Sequence, residues 1–254
     1  PWNYPYLTAV NAVIPALLAG NTVILKPSDQ TPLAGEHFRE AFETAGLPEG
    51  IFQVLHMSHE KTGHVLVDDC IDYVAFTGSV DGGIAVSHAL ANRNGRNRFI
   101  GAGLELGGND PAYIREDADL AHAVPNVVEG ALFNSGQSCC AIERIYVHHE
   151  QFEQFVEMAA EETLKYVLGD PTNPLTTLGP MVRQRNAEQV RMVIQQAEAS
   201  GARGLIDPSN FAAAEQGAAY VAPQILVDVD HSMALVRDET FGPCVGVMSV
   251  QSDA

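Results

Sequence analysis

Short β-branched or aromatic runs alternate with helix-length segments along this chain, and that alternation limits its fold more than any other feature. Thr22 to Leu25, Phe52 to Leu55 and Tyr73 to Phe76 are each bounded by glycine, proline or small polar residues and read as buried strands. Tyr6 to Leu18, ended by Gly20-Asn21, reads as a helix, as does the stretch opened by Thr31-Pro32 and closed by Gly46-Leu47-Pro48. Strands separated by helices of this length form βαβ units and a parallel sheet. After Thr77-Gly78-Ser79 a helix is expected through Ala91, then a strand over Arg98 to Leu104. The pattern resumes with a helix from Asp117 to about Phe133, a turn at Asn134-Ser135-Gly136 and a strand from Arg144 to His148. Helices over Glu150 to Leu168 and Gln184 to Ser200, an extended segment over Tyr220 to Val229 and a strand over Val245 to Val250 complete it. Gly169-Asp170-Pro171 and Gly179-Pro180 punctuate loops. The expected architecture is α/β, with a boundary at Gly107-Gly108 dividing residues 1–107 from 108–254.

Charge and hydrophobicity exclude several functions. With 46 % hydrophobic and 18 % charged residues the chain can bury a sizeable core. Thirty-two acidic residues against 14 Lys and Arg give a net charge of −18, the wrong sign for a nucleic-acid or anionic-membrane binder. Apolar runs such as Thr8 to Ala19 are too short to span a bilayer, and no basic-then-apolar leader is visible. Four cysteines (Cys70, Cys139, Cys140 and Cys244) are too few for a disulfide scaffold, which points to a reducing cytoplasm. The chain opens on Pro1 rather than Met and stops after an apolar stretch, so both ends read as cuts through a larger protein.

Several groups could carry chemistry. Cys139 and Cys140 follow the small-residue turn Asn134 to Ser138, a setting whose free backbone N–H groups can stabilise a thiolate or an oxyanion. The plain alternative is two small apolar residues at a strand entry. In Leu104-Glu105-Leu106-Gly107-Gly108 a carboxylate sits between leucines at a strand end; if desolvated, it becomes a candidate general base. Against that stands a solvated edge-strand Glu. Phe76-Thr77-Gly78-Ser79 leads a strand through a small turn into a helix whose N-terminus suits a phosphate, though an ordinary βα turn looks the same. Asn3, between Trp2 and Tyr4 and flanked by prolines, offers a rigid amide donor or simple turn chemistry. His56, His59 and His64 have no cysteine or clustered acid at ligand spacing, so no metal is expected; His148-His149 is expected at the surface, and Cys70 and Cys244 as packing residues.

Taken in order, Pro1-Trp2-Asn3-Tyr4-Pro5, Lys26-Pro27-Ser28-Asp29, Phe76-Thr77-Gly78-Ser79, Leu104 to Gly108, Gly136-Gln137-Ser138-Cys139 and Glu239-Thr240-Phe241-Gly242-Pro243 resemble the signatures of the aldehyde dehydrogenase superfamily. The resemblance runs the length of the chain. It implies a Rossmann-type parallel cofactor sheet followed by an α/β catalytic domain, truncated at both ends. It also implies an NAD(P)-dependent oxidation of an aldehyde to a carboxylic acid. In its terms Cys139, not Cys140, is the nucleophile; Asn3 and the Cys139 backbone N–H hold the oxyanion; Glu105 activates the water that releases the acid. Cofactor contacts fall to Trp2, Lys26, Asp29, Thr77, Gly78, Ser79, Gly83, Leu106, Gly107, Glu239 and Phe241. Asp29 stands where the family often has Glu, and a carboxylate there favours NAD over NADP. Asn109-Asp110 departs from the residues many members carry after the two glycines. A small-molecule aldehyde is the implied partner, and the complete protein is expected to be a homodimer or homotetramer. The competing expectations are a nucleotide-binding fragment or pseudoenzyme without turnover, and a CoA-acylating dehydrogenase, which an intact Glu105 disfavours.

Overall fold

The computed structural model describes residues 1–94, 99–214 and 218–253. The chain divides into two compact units, Pro1–Leu106 and Gly107–Ala254.

Unit 1 carries α1 (Pro5–Leu18), β1 (Val23–Leu25), α2 (Pro32–Thr44), β2 (Phe52–Val54), α3 (His59–Leu66), β3 (Tyr73–Thr77), α4 (Val80–Ala91) and β4 (Gly101–Glu105). Its strands form two parallel pairs, β1 with β2 and β3 with β4, rather than one continuous sheet. Pro5 and Pro32 each open a helix, where the missing N–H is not needed. The strand expected from Arg98 begins instead at Gly101; Arg98 itself lies outside the described residues, and Phe99 is exposed ahead of the strand. Arg93 is buried, and its guanidinium donates to the carbonyls of Leu66, Asp68 and Ile71, tying the chain after α4 to the turn after α3.

Unit 2 carries β5 (Asp110–Ile114), α5 (Leu120–Leu132), a 3₁₀ turn at Phe133–Gly136, β6 (Ile142–His148), α6 (Phe152–Thr163), α7 (Gln184–Ala199), β7 (Arg203–Gly204), β8 (Gln224–Val227), α8 (Ala234–Arg237) and β9 (Cys244–Val250). Five strands form one sheet in the order β5-β6-β9-β8-β7, parallel except at the β7–β8 edge. All four residues of β8 are buried, as are the first five of β9, the continuous apolar pattern of a sheet covered on both faces. One core gathers Val124, Val128 and Leu132 of α5, Phe155 and Ala159 of α6 and the strand residues Ile145, Val147 and Val245. A second packs Ala187, Val190 and Ala197 of α7 with Leu226 and Leu235. The α5 positions fall at helical spacing on one face, and Asp119 caps that helix by accepting from the Ala121 N–H at 3.1 Å. No helix among the described residues is long and apolar enough to cross a membrane.

Candidate active site

In unit 1 the strand ends gather one group of the expected residues. Thr77, last in β3, is in register with Glu105, last in β4, and the Gly78 N–H donates to the Glu105 carbonyl at 3.0 Å. Ser79 caps α4, its Oγ accepting from the Gly82 N–H at 3.2 Å. The first turn of a 12-residue helix therefore opens at the C-terminal ends of parallel strands, where backbone N–H groups and the helix dipole favour an anion. Close approach here excludes side chains. A Cβ on Gly83 would stand 2.6 Å from Leu106 Cδ2, and one on Gly78 2.7 Å from the Phe76 ring. Glu105 is exposed, as is Leu104, so the flanking leucines do not desolvate the carboxylate in this chain.

Lys26 and Asp29 follow β1 of the other strand pair, Lys26 half-buried and Asp29 exposed. Pro1 lies close to Lys26, which puts the segment leading into α1 near the end of β1. Trp2 and Asn3 lie there, half-buried, in the segment leading into α1.

In unit 2, Cys139 follows an unusual backbone. Asn134, Ser135 and Gly136 take φ values of 52°, 58° and 67° in succession. Left-handed geometry is costly for residues with a Cβ and persists only when the surroundings impose it. Here Gln137, buried, clamps the turn: its amide donates to the carbonyls of Asn134 at 3.0 Å and Pro180 at 3.3 Å, and its Oε1 accepts from the Val182 N–H at 2.7 Å. Ser135 Oγ donates to the Gly179 carbonyl at 2.7 Å. Gly136 must be glycine twice over, for its positive φ and because a Cβ would stand 2.1 Å from the Gly242 carbonyl oxygen. Cys139 emerges from this frame half-buried, while Cys140 is exposed with its Sγ 3.2 Å from Ser138 Oγ.

The same frame meets the other motif ends. A Cβ on Gly108 would lie 2.0 Å from the Cys139 carbonyl oxygen, and one on Gly107 2.1 Å from Glu239 Oε2. Glu239 Oε1 accepts from the Gly108 N–H at 2.8 Å. Burial raises the Glu239 pKa against the pull of that bond. Phe241, two residues on, holds a φ of 54°. Unit 2 thus brings Gly107, Glu239 and Phe241 to the segment around Cys139.

Sequence reasoning missed Glu143. It is buried at the start of β6, in phase with Ile145 and Val147. Its carboxylate accepts from the Thr240 N–H at 2.6 Å and the Phe241 N–H at 2.9 Å. Burial pushes its pKa up to about 7; the two backbone bonds oppose that, and the charges of Glu239 and Asp110 add to it. The available signal was a charged residue on the buried phase of an alternating strand. Two smaller expectations are corrected. His148 is buried, because β6 keeps its core contacts to its last residue, and only His149 is exposed. Cys70 is exposed rather than packed, since it lies in a surface turn capped by Asp68, while Cys244 is buried and its thiol pKa is driven well up by burial and then by Glu143. Glu116, His148 and Glu150 place one possible ligand atom each within 4.8 Å, but both acids are exposed at a strand end, where such groupings are common without an ion.

Comparison with known proteins places this geometry. The family model described as the aldehyde dehydrogenase family matches residues 1–254. The chain belongs to the aldehyde dehydrogenase family. Human retinal dehydrogenase 2 is 34 % identical over 244 residues, covering 96 % of this chain and 46 % of the relative. Among solved structures, the aldehyde dehydrogenase of Mycobacterium tuberculosis complexed with NAD+ superposes with a TM-score of 0.91 at 31 % identity, over 100 % of this chain and 51 % of that one. An NADP-dependent enzyme of E. coli gives 0.92 at 31 % identity, again over 100 % and 51 %. The chain therefore spans about half the length of the aldehyde dehydrogenases it matches.

Proposed function

We propose that the protein carrying this chain oxidises an aldehyde to a carboxylic acid with NAD(P)+, using Cys139 as the nucleophile. The observation that carries this reading is the frame around Cys139: a left-handed turn pinned by Gln137 and Ser135, delivering a half-buried thiol from a rigid support. Of the buried alternatives, Cys244 has its thiol held protonated by burial and cannot serve.

Cys139 attacks the aldehyde carbonyl carbon, forming a carbon–sulfur bond and an alkoxide that the Asn3 amide and the Cys139 backbone N–H hold by hydrogen bonding. NAD(P)+, when bound, supplies a two-electron acceptor for the hydride lost from that carbon. The acyl group remains on Cys139 as a thioester. Glu105 takes a proton from a water, whose oxygen attacks the thioester; the carbon–sulfur bond breaks, Cys139 leaves as thiolate and the carboxylic acid is released.

Residues suited to the cofactor fall into sets. Ser79, Gly78 and the N-terminus of α4, packed closely because Gly83 admits Leu106, fit a pyrophosphate. Lys26 and Asp29 are assigned to the adenosine side, Thr77, Leu106 and Gly107 to the nicotinamide, and Glu239 with Phe241 to its ribose, with Trp2 a further cofactor contact. A carboxylate at Asp29 repels a 2′-phosphate, which favours NAD.

In the full-length protein, Cys139→Ser is expected to lower aldehyde-dependent NADH formation by about 10⁴-fold or more while nucleotide binding persists. Asn3→Ala is expected to cost about 10²–10³ in kcat. Near-wild-type turnover in Cys139→Ser, or a wild type with neither turnover nor thiol labelling at Cys139, would sink the reading.

A further inference from the structure

We propose that Glu143 is a positioning residue: its carboxylate holds the Glu239–Phe241 segment in the one shape that presents Glu239 to the cofactor. This rests on the reading of Glu239 given above.

Four observations carry it. The segment lies between the end of α8 at Arg237 and the start of β9 at Cys244, outside regular structure. Its backbone includes a left-handed, non-glycine residue, Phe241, at a φ of 54°, which needs an external hold. Glu143 supplies one bond per oxygen to two successive N–H groups, Thr240 at 2.6 Å and Phe241 at 2.9 Å, across 97 and 98 residues of sequence. And Glu143 sits only four residues beyond Cys139, at the start of a strand fixed between β5 and β9.

The chemistry selects a carboxylate. Two adjacent N–H groups need two acceptor oxygens and no donor, and only an ionised Asp or Glu offers that. A glutamine in its place would face one backbone N–H with its own N–H₂. An aspartate keeps the charge but is one methylene shorter and reaches one N–H well. With the hold lost, Phe241 relaxes from the left-handed region, and Glu239 shifts with it away from the Gly108 N–H. The defect is therefore expected on the cofactor side, because no atom of Glu143 is offered to the aldehyde.

The test is steady-state kinetics on the full-length protein carrying Glu143→Gln, Glu143→Asp or Glu239→Gln, with melting temperatures alongside. Support requires that Glu239→Gln and Glu143→Gln each raise KM for NAD about tenfold, the effect of a lost charge-assisted bond pair, with KM for the aldehyde unchanged and Glu143→Asp in between. The wild-type KM for NAD should also rise as pH falls below about 7, when a proton on Glu143 turns one acceptor into a donor; Asp110 of β5, Glu239 and the Cys244 thiol of β9 face it and shape that profile. The Glu143→Gln profile should be flatter.

If Glu239→Gln raises KM for NAD and neither Glu143 variant does, the proposal fails while the assignment of Glu239 stands. If Glu239→Gln leaves KM for NAD unchanged, that assignment fails and takes the proposal with it. A Glu143→Gln protein that loses both KM values together, or keeps the wild-type pH profile, shows general loosening and overturns the positioning role. Should Glu143→Gln not fold, Glu143→Asp decides: a wild-type KM for NAD overturns the proposal.

Discussion

No residue of β4 in unit 1 is buried, whereas every residue of β8 in unit 2 is. The two units follow the same alternation of strand and helix but reach their shapes by different means. Among the described residues, the two apolar core clusters lie in unit 2. Unit 1 is arranged instead by close approach: Gly83 against Leu106, Gly78 against Phe76, and strand ends tied by the Gly78–Glu105 bond. Within this chain, which spans about half the length of the relatives it matches, glycine lets backbone and side chain meet directly at the unit 1 strand ends. In unit 2 the core does the holding, and its strength allows a strained turn and a buried carboxylate beside it.

Three measurements would break or sharpen that contrast. Phe155→Ala removes a fully buried ring from the centre of the unit 2 core and should lower the unfolding free energy by about 3–5 kcal/mol in denaturant titration. Val74→Ala, at the buried position of β3, should cost less than half of that, because the side chain is smaller and its surroundings are open. Equal losses would remove the distinction between the units.

The second concerns buried charge. The folded-state pKa of Glu143 is raised from 4.5 to about 7, so folding favours the protonated form. Its contribution is fully present below the unfolded pKa and is lost as pH rises through 7, to the extent of about 3 kcal/mol. Between about pH 4 and 8.5 the wild type should lose that much more stability than Glu143→Gln. Parallel curves would show that water or relaxation keeps the carboxylate solvated. Surface carboxylates shift the other way in both units: Glu36, through its bond to His56, and Asp68, through Cys70, are lowered in unit 1, as are Asp170, through Thr172, and Asp207, through Ser209, in unit 2.

The smallest effect is the cap of α4. Ser79→Ala should cost about 1 kcal/mol and Ser79→Gly only a few tenths, read from melting temperatures. No difference between them would mean the Gly82 N–H is satisfied without Ser79.

Strands and helices with a clear period were readable from the residues, including α5, α7 and β9. β5 was not. Asp110 and Pro111 speak against a strand, and the structure tolerates them because β5 is an edge strand with a register shift at that pair. β7 has two residues and α8 four, too few to show any period. At the candidate site, the motifs pointed to Cys139, Glu105, Ser79 and Glu239. What holds them was invisible, because Gln137 and Glu143 act on backbone groups 43 to 98 residues away. A backbone N–H has no letter in the sequence.

The anchoring of the Cys139 turn carries an evolutionary corollary. Across the sequence, Ser135 and Gln137 reach main-chain atoms of Gly179, Pro180 and Val182. Side chains at those distant positions can drift without loosening the grip, so correlated substitution between the two stretches would leave no trace of one of the site's closest contacts.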